Sequence, residues 1–436
     1  MRHIALTAAL LVVAGLAVVS TQEFTPNYDE AKVPPYTLPD PLVLANGTPV
    51  TTAAQWRDLR RPELLRLFAA EVFGRTPAKT VPVATRVDGV EKALDGRAIR
   101  KQITLSFGEK PDAPAMHLLV YLPVSAPAPS PIVMGLNFEG NHAVHTDPGI
   151  RLSTAWVSER NAGVVNNRAT EQSRGSEASR WAIDRILARG YGLVTAYYGD
   201  LDPDFDDGFR NGIHPLFYEP GQEKPAQDEW GAVGAWAWGL SRALDYLDTD
   251  KDVDAARVAV MGHSRLGKAA LWAGAQDERF AMVISNESGC GGAALSKRVF
   301  GETVGRINRV FPHWFSDTFN KYNEREQDLP IDQHELLALV APRPLYVASA
   351  AEDLWADPKG EFLAAFHAEP VYRLLGKTGL GVTEMPDVGT PAGVTIRYHV
   401  RPGEHDVTAF DWEQYLDFAD RHLGKGRTAG TATQSK

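Results

Sequence analysis

The chain carries a serine in a setting suited to nucleophilic attack. The run Arg257-Val-Ala-Val-Met-Gly-His-Ser-Arg-Leu-Gly-Lys268 reads as a buried strand, a sharp turn at Ser264, and a helix that opens with small and apolar residues. Such a turn lifts a hydroxyl out of the backbone at the carboxyl end of a strand. The N-terminus of the following helix then faces any anion formed there. Gly262 fills the first glycine position of a nucleophile elbow, Leu266 replaces the second, and Gly267 follows it. The chemistry implied is acyl transfer to serine, hence hydrolysis of an ester or related acyl compound. The plain alternative is an ordinary strand–helix turn with a surface serine.

A serine nucleophile needs a base and an acid that orients it. With a serine elbow the chain order is Ser, acid, His, so the base belongs late in the sequence. Thr395-Ile-Arg-Tyr-His-Val-Arg-Pro-Gly-Glu-His-Asp406 supplies it: a strand ends at Arg401, a Pro-Gly turn follows, and His405 precedes the last helix. His399 is the rival, but it lies inside the strand. Two carboxylates compete for the acid's place. Asp353 follows an apolar run ending near Ser349, and Glu287 ends the run Met282–Asn286 before Ser288-Gly-Cys-Gly-Gly292. Spacing alone does not choose between them. For the oxyanion, the Arg265 backbone N–H is the first donor, and the Arg265 side chain adds a positive charge. Leu136-Asn-Phe-Glu-Gly-Asn-His142 is either a second wall of that hole or a polar loop.

These residues need a frame. Lys101–Phe107 and Met116–Pro123 alternate as a hairpin would. Ile132–Phe138, Gly192–Tyr198, Val258–Met261, Met282–Asn286 and Pro344–Ala350 are short apolar runs typical of a sheet buried on both faces. Helical spacing covers Trp56–Phe73, Ala178–Arg189, Glu229–Leu247, Leu266–Ala275, Lys359–Leu375 and Asp411–Leu423. This alternation predicts an α/β fold, specifically an α/β-hydrolase fold: a three-layer αβα sandwich around a mostly parallel sheet. Glu139–Glu177 and Gly289–Pro330 are long and irregular, and both leave the ends of predicted strands, where open sheets place their sites.

The 436 residues carry a formal net charge of -10 and no clustered basic run, which argues against nucleic acid or an anionic membrane as partner. Residues 1–20 read as a secretory signal: Arg2 and His3 precede an apolar run, with small residues near Ser20. The expected protein is periplasmic or secreted and monomeric, with one catalytic domain over residues 21–425 and a disordered tail over 426–436. Cys290 is the single cysteine, so no internal disulfide forms and a structural role is expected for it. His142 and His145 share one loop without an obvious third ligand, and neither a metal nor any other cofactor is expected.

Several segments together resemble the glucuronoyl esterases of carbohydrate esterase family 15, in their bacterial branch. They are Gly262-His-Ser-Arg-Leu-Gly-Lys268, Asn286-Glu-Ser-Gly-Cys-Gly-Gly292, Phe311-Pro-His-Trp-Phe315, Leu329-Pro-Ile-Asp-Gln-His-Glu335 with Ala341-Pro-Arg343, and Glu352-Asp-Leu-Trp-Ala-Asp-Pro358 ahead of Gly403-Glu-His405. The resemblance implies cleavage of esters that join 4-O-methyl-glucuronate on xylan to lignin alcohols, so the partners would be glucuronoxylan and lignin–carbohydrate esters. It implies Ser264 as nucleophile, His405 as base, Glu287 or Asp353 as acid, and Arg265 on the oxyanion. Lys268 would contact the sugar and Trp355 would stack on it or bond a hydroxyl. Glu302, Arg306 and Glu324 fall in the region where members bind the uronate. His263 stands where fungal members have a disulfide-forming cysteine. Two other readings remain: an acetyl-xylan or feruloyl esterase on the same fold, and a non-catalytic carbohydrate binder using Trp314, Trp355 and Trp412.

Overall fold

The computed structural model describes residues 24–424 apart from Pro111, so the expected signal segment and the tail over 426–436 lie outside the described residues. Strands β1 (Val83–Ala93), β2 (Ala98–Phe107), β3 (Ala115–Pro123) and β4 (Ser130–Asn137) come first. A small hairpin of β5 (Val164–Val165) and β6 (Arg168–Ala169) stands apart. Strands β7 (Gly192–Tyr197), β8 (Val253–His263), β9 (Met282–Asn286), β10 (Leu345–Ala350), β11 (Ala392–Gly393) and β12 (Ile396–Arg401) follow. Ten of these form one sheet in the order β1-β2-β3-β7-β4-β8-β9-β10-β12-β11. From β7 to β12 every neighbour is parallel, whereas the β1–β2–β3–β7 flank and the β12–β11 edge are antiparallel.

Side-chain alternation divides the central strands between two cores. Ile132, Met134, Val194, Val258, Val260, Leu345 and Val347 face one side, with helices Ala232–Leu247, Arg265–Gln276 and Pro358–Leu374. Val133, Leu193, Ala259, Met261, Tyr346 and Ala348 face the other, with helices Ile183–Ala188 and Ala409–His422. This is the expected three-layer α/β arrangement. The apolar runs lacked polar alternation because both faces of each strand are covered.

Local departures have identifiable causes. The helix expected over Ala178–Arg189 shortens to Ile183–Ala188. Its expected first residues form tighter turns instead: Ala178 N–H donates to Gly175 O and Arg180 N–H to Glu177 O. The helix expected from Glu229 starts at Ala232, because Ala232 and Val233 N–H donate to the carbonyls of His313 and Trp314. Strand β1 escaped notice in the sequence. It is an exposed edge strand and lacks a buried face to produce a pattern. The irregular stretch Gly289–Pro330 contains one α-helix, Val304–Val310, and three short 3-10 helices, Ser296–Arg298, Asp317–Tyr322 and Glu326–Asp328.

The turn after β8 depends on glycine at two places. A Cβ on Gly262 would lie 1.9 Å from the Leu266 carbonyl oxygen, and one on Gly267 would lie 2.8 Å from the Ser288 Cβ. Leu266 tolerates a side chain because its own packs into the core. The close approach has moved one residue along, which explains the shifted glycine pattern. Replacing Gly262 by alanine is therefore expected to destabilise the fold by about 3 kcal/mol or more, through backbone overlap. Thermal unfolding checks this, and a variant melting with the wild type would show that the turn opens freely.

Candidate active site

Ser264 sits between β8 and helix Arg265–Gln276 with φ 56 and ψ -129, a conformation that non-glycine residues seldom adopt. The strain is of the order of 1–3 kcal/mol and is held by surrounding bonds. Ser264 N–H donates to Asn286 O at 2.9 Å, while Ser264 O accepts from Gly267 N–H at 2.8 Å. Arg265 is the first residue of the helix, so its N–H has no intrahelical acceptor and lies beside the serine. Ser264, Arg265 and His405 line one cleft of about 550 Å³ together with Phe138, Asp204, Phe205 and Phe311.

His405 resolves the competition between acids in an unexpected way: both reach it. Its Nδ1 lies 2.6 Å from Asp353 Oδ2 and 3.2 Å from Glu287 Oε2. Burial would lower the imidazole, but the bonds and charges of Asp353 and Glu287 outweigh it and raise the group to about 9. Glu287 is itself pushed up to about 7, chiefly by burial and against the pull of His405 and Arg401. Glu287 Oε1 accepts from Arg401 Nη2 at 2.7 Å, and Oε2 accepts from Asp406 N–H at 2.9 Å. Arg401 also donates to the carbonyls of Glu404 and Asp406, so it grips both sides of the histidine loop. His399 is fully buried and bonded to Asp411 and Tyr346, which removes it as a rival base.

The Arg265 guanidinium lies over two rings, with its carbon 5.1 Å from the centre of Phe138 and 5.2 Å from that of Trp314. Its Nε forms an ion pair of 3.3 Å with Asp204 Oδ2. Behind it, Lys268 is buried, donates to Ser288 O at 2.5 Å, and lies 5.8 Å from the Trp314 ring centre. Burial lowers the Lys268 ammonium, and the charge of Glu302 is the largest opposing influence. Glu302 is raised by burial and held down by Lys268, by a hydrogen bond from Trp355, and by Arg265 and Arg306. Lys268, Trp355, Glu302 and Arg306 thus form one connected group next to Arg265. Phe24 caps it, edge-on to Trp355 at 6.1 Å and under the Arg306 guanidinium at 5.2 Å.

The structure places four further sequence readings. Glu324 is exposed and forked onto Arg309 at 2.6 Å, so it belongs to a surface ion pair rather than this group. Trp314 and Trp412 are buried and offer no exposed binding face. The Leu136–His142 stretch turns its polar groups inward: Asn137 bonds Asn141, Thr195 and Gly140, and His142 bonds Ser173. Phe138 presents a ring to Arg265, and its N–H is spent on Glu177. Finally, His263, Glu287 and His405 do gather within 4.8 Å of one another. Each of the three residues already makes a hydrogen bond, including His263 Nδ1 to Asn286 Oδ1 at 2.6 Å. Cys290 is buried as expected, with its thiol pushed up by burial.

Sequence reading missed Asp204 and Arg401. Asp204 lies in the acidic run Asp202-Pro-Asp-Phe-Asp-Asp207 just past β7, a strand end where a functional loop belongs. Arg401 closes β12, four residues before His405, and only its buried position distinguishes it from a surface arginine.

A family profile described as "Glucuronyl esterase, fungi" matches residues 222–376. The carbohydrate esterase MZ0003 from an unknown prokaryotic organism is 55% identical over 402 residues, covering 92% of this chain and 93% of its own. A glucuronoyl esterase structure from Solibacter usitatus superposes with a TM-score of 0.87 at 55% identity, covering 90% of this chain and 100% of the other. The structure of a promiscuous CE15 esterase from the marine bacterial metagenome gives a TM-score of 0.86 at 54% identity, over 91% of this chain and 100% of the other. With the serine elbow, the doubly held histidine and these relatives in agreement, the chain belongs to the glucuronoyl esterases of carbohydrate esterase family 15.

Proposed function

We propose that this protein hydrolyses esters of glucuronate side chains on glucuronoxylan, releasing a lignin-type alcohol, through an acyl-enzyme on Ser264. The observation that carries this reading is His405 held at Nδ1 by Asp353, in the same cleft as an elbow serine and a ring-flanked arginine. The Lys268–Glu302–Trp355 group beside that cleft supports a uronate as the acid part: a charged amine, a carboxylate and an indole N–H suit a ring rich in hydroxyls. The signal-like sequence of residues 1–20 supports export to the periplasm or exterior.

In this mechanism Ser264 Oγ attacks the ester carbonyl carbon as His405 Nε2 takes the hydroxyl proton. The carbonyl π pair moves onto oxygen, where the Arg265 N–H and guanidinium meet the charge. That pair returns, the bond to the alkoxy group breaks, and His405 gives the leaving alcohol its proton. Water then attacks the acyl-enzyme with the same base, Ser264 recovers its proton, and the uronic acid leaves. Asp353 is the nearer carboxylate and Glu287 the one already bonded to Arg401 and Asp406, so Asp353 carries most of the orientation and Glu287 backs it.

On benzyl glucuronate, acetylated xylan and a feruloyl ester compared side by side, clear preference for the glucuronate is expected. Ser264→Ala should fold and be inactive. Preference for either other ester would keep the serine mechanism and discard the uronate; retained turnover by Ser264→Ala would discard both. Asp353→Asn is expected to lower kcat about 10²-fold and Glu287→Gln about 10-fold. The double variant should lose more than the product of the two, since each carboxylate covers for the other; a purely multiplicative loss would show that they act separately.

The pH dependence has a definite sign. A base raised to about 9 is protonated at neutral pH, so kcat/KM should climb with pH and level off near that value. Asp353→Asn withdraws a charge, so the limb should move to lower pH; an unmoved limb would assign it to another group. The stability that His405 gains from its partners is complete below 6.5 and is lost as pH rises through about 9.

A further inference from the structure

We infer that Asp204 is a positioning residue for the reaction, fixing the Arg265 side chain so that its outer edge faces the oxyanion. The inference rests on the proposed roles of Ser264 and Arg265, not on the identity of the ester.

The Asp204 carboxylate is almost wholly enclosed, and four groups converge on it. Oδ1 accepts from Trp314 Nε1 at 2.7 Å and pairs with His313 Nε2 at 2.9 Å. Oδ2 accepts from Tyr198 OH at 3.0 Å and faces Arg265 Nε at 3.3 Å. Burial alone would favour the neutral acid; His313, Arg265 and Trp314 outweigh it and hold the carboxyl below its ordinary value. A buried anion so placed attracts the inner edge of the guanidinium strongly, because little water screens it. It also fixes one of the two rings that flank Arg265, since Trp314 donates to Asp204 and stacks face to face on Phe311 with centres 3.8 Å apart. With Nε turned to Asp204 and its carbon over the Phe138 and Trp314 rings, Arg265 is held on three sides in the cleft that it lines together with Ser264.

The catalytic value lies in pre-organisation. A free arginine side chain loses much rotamer freedom when it is ordered. Misplacing a donor by about 1 Å can cost about 10²-fold in rate. Asp204 removes that freedom before substrate arrives. It donates nothing itself, and its effect passes through Arg265.

A kinetic cycle separates this from a merely structural role, using whichever ester the wild type turns over best. Asp204→Asn is expected to lower kcat about 10- to 100-fold with KM nearly unchanged. In an Arg265→Met background the same change should cost less than about 2-fold, because there is no guanidinium left to aim. Asp204→Glu should recover part of the loss. If Asp204→Asn folds poorly, Tyr198→Phe removes a single bond to Oδ2 and should show a smaller kcat loss that also vanishes beside Arg265→Met. Equal losses in both backgrounds would overturn the inference and make Asp204 structural. An Arg265→Met enzyme with wild-type kcat would overturn it too, by removing the residue through which Asp204 acts. Failure on glucuronate esters alone, with another ester still cleaved through Ser264, would sink the substrate reading and leave this inference standing.

Discussion

The site depends on one backbone constraint: Ser264 held at φ 56 and ψ -129 between a strand and a helix. That conformation is unfavourable in isolation and persists because the sheet and helix on either side leave the chain no other path. Gly262 lets the Leu266 carbonyl approach, and Gly267 lets the helix pack onto Ser288. Several parts of the site follow from the same turn. It sets the serine at the carboxyl edge of β8, brings the first helical N–H beside it, and sends the Lys268 side chain back to the Ser288 carbonyl. The parallel neighbours β9, β10 and β12 then end on the same edge. That shared edge is why Glu287, Asp353 and His405, distant in sequence, meet there.

Burying that much charge requires pairing. Glu287 and Asp353 share a single imidazole, and without Arg401 the excess negative charge on the Glu287 side would be costly. Arg401 spreads its donors over Glu287, Asp411 and the carbonyls around His405, tying the position of the base to that of an acid. His399, the losing candidate for the base, belongs to the same network through Asp411 and helps hold it from below.

The sequence exposed much of this and hid the rest for physical reasons. Strands with both faces covered stood out as apolar runs, and the elbow was visible in Gly262, Ser264 and Gly267. The exposed edge strand β1 had no such signature. Ser264 and His405 could be picked out because chain order and strand ends constrain them. The choice between Glu287 and Asp353 could not be made from spacing, since the answer is a distance to one ring nitrogen, and both satisfy it. Asp204 and Arg401 were invisible for a related reason. Their importance comes from which side chains surround them, and an acidic run or a strand-end arginine looks the same on the surface as it does in a core. Trp314 shows the converse: an exposed binding face belonged only to the rival binder reading, and the residue is buried and serves as a wall for Arg265.

The overall charge of -10 contrasts with a site that gathers Arg265, Lys268 and Arg306, but the two act over different ranges. Charges spread over the surface are screened within about 10 Å at moderate ionic strength. Charges inside the cleft are screened much less, so the local balance decides what binds. That balance is tuned rather than simply positive. Glu302 offsets Lys268, and Asp204 offsets Arg265, so each cation has a carboxylate near it, and Arg265 still lines the cleft. For an ester whose acid part becomes an anion on release, such tempering has a kinetic logic. Fully unpaired cations would hold the product as well as they hold the transition state, and binding both equally gains nothing in turnover. Carboxylates behind the cations weaken the grip on a fully formed carboxylate while leaving donors aimed where charge develops during attack.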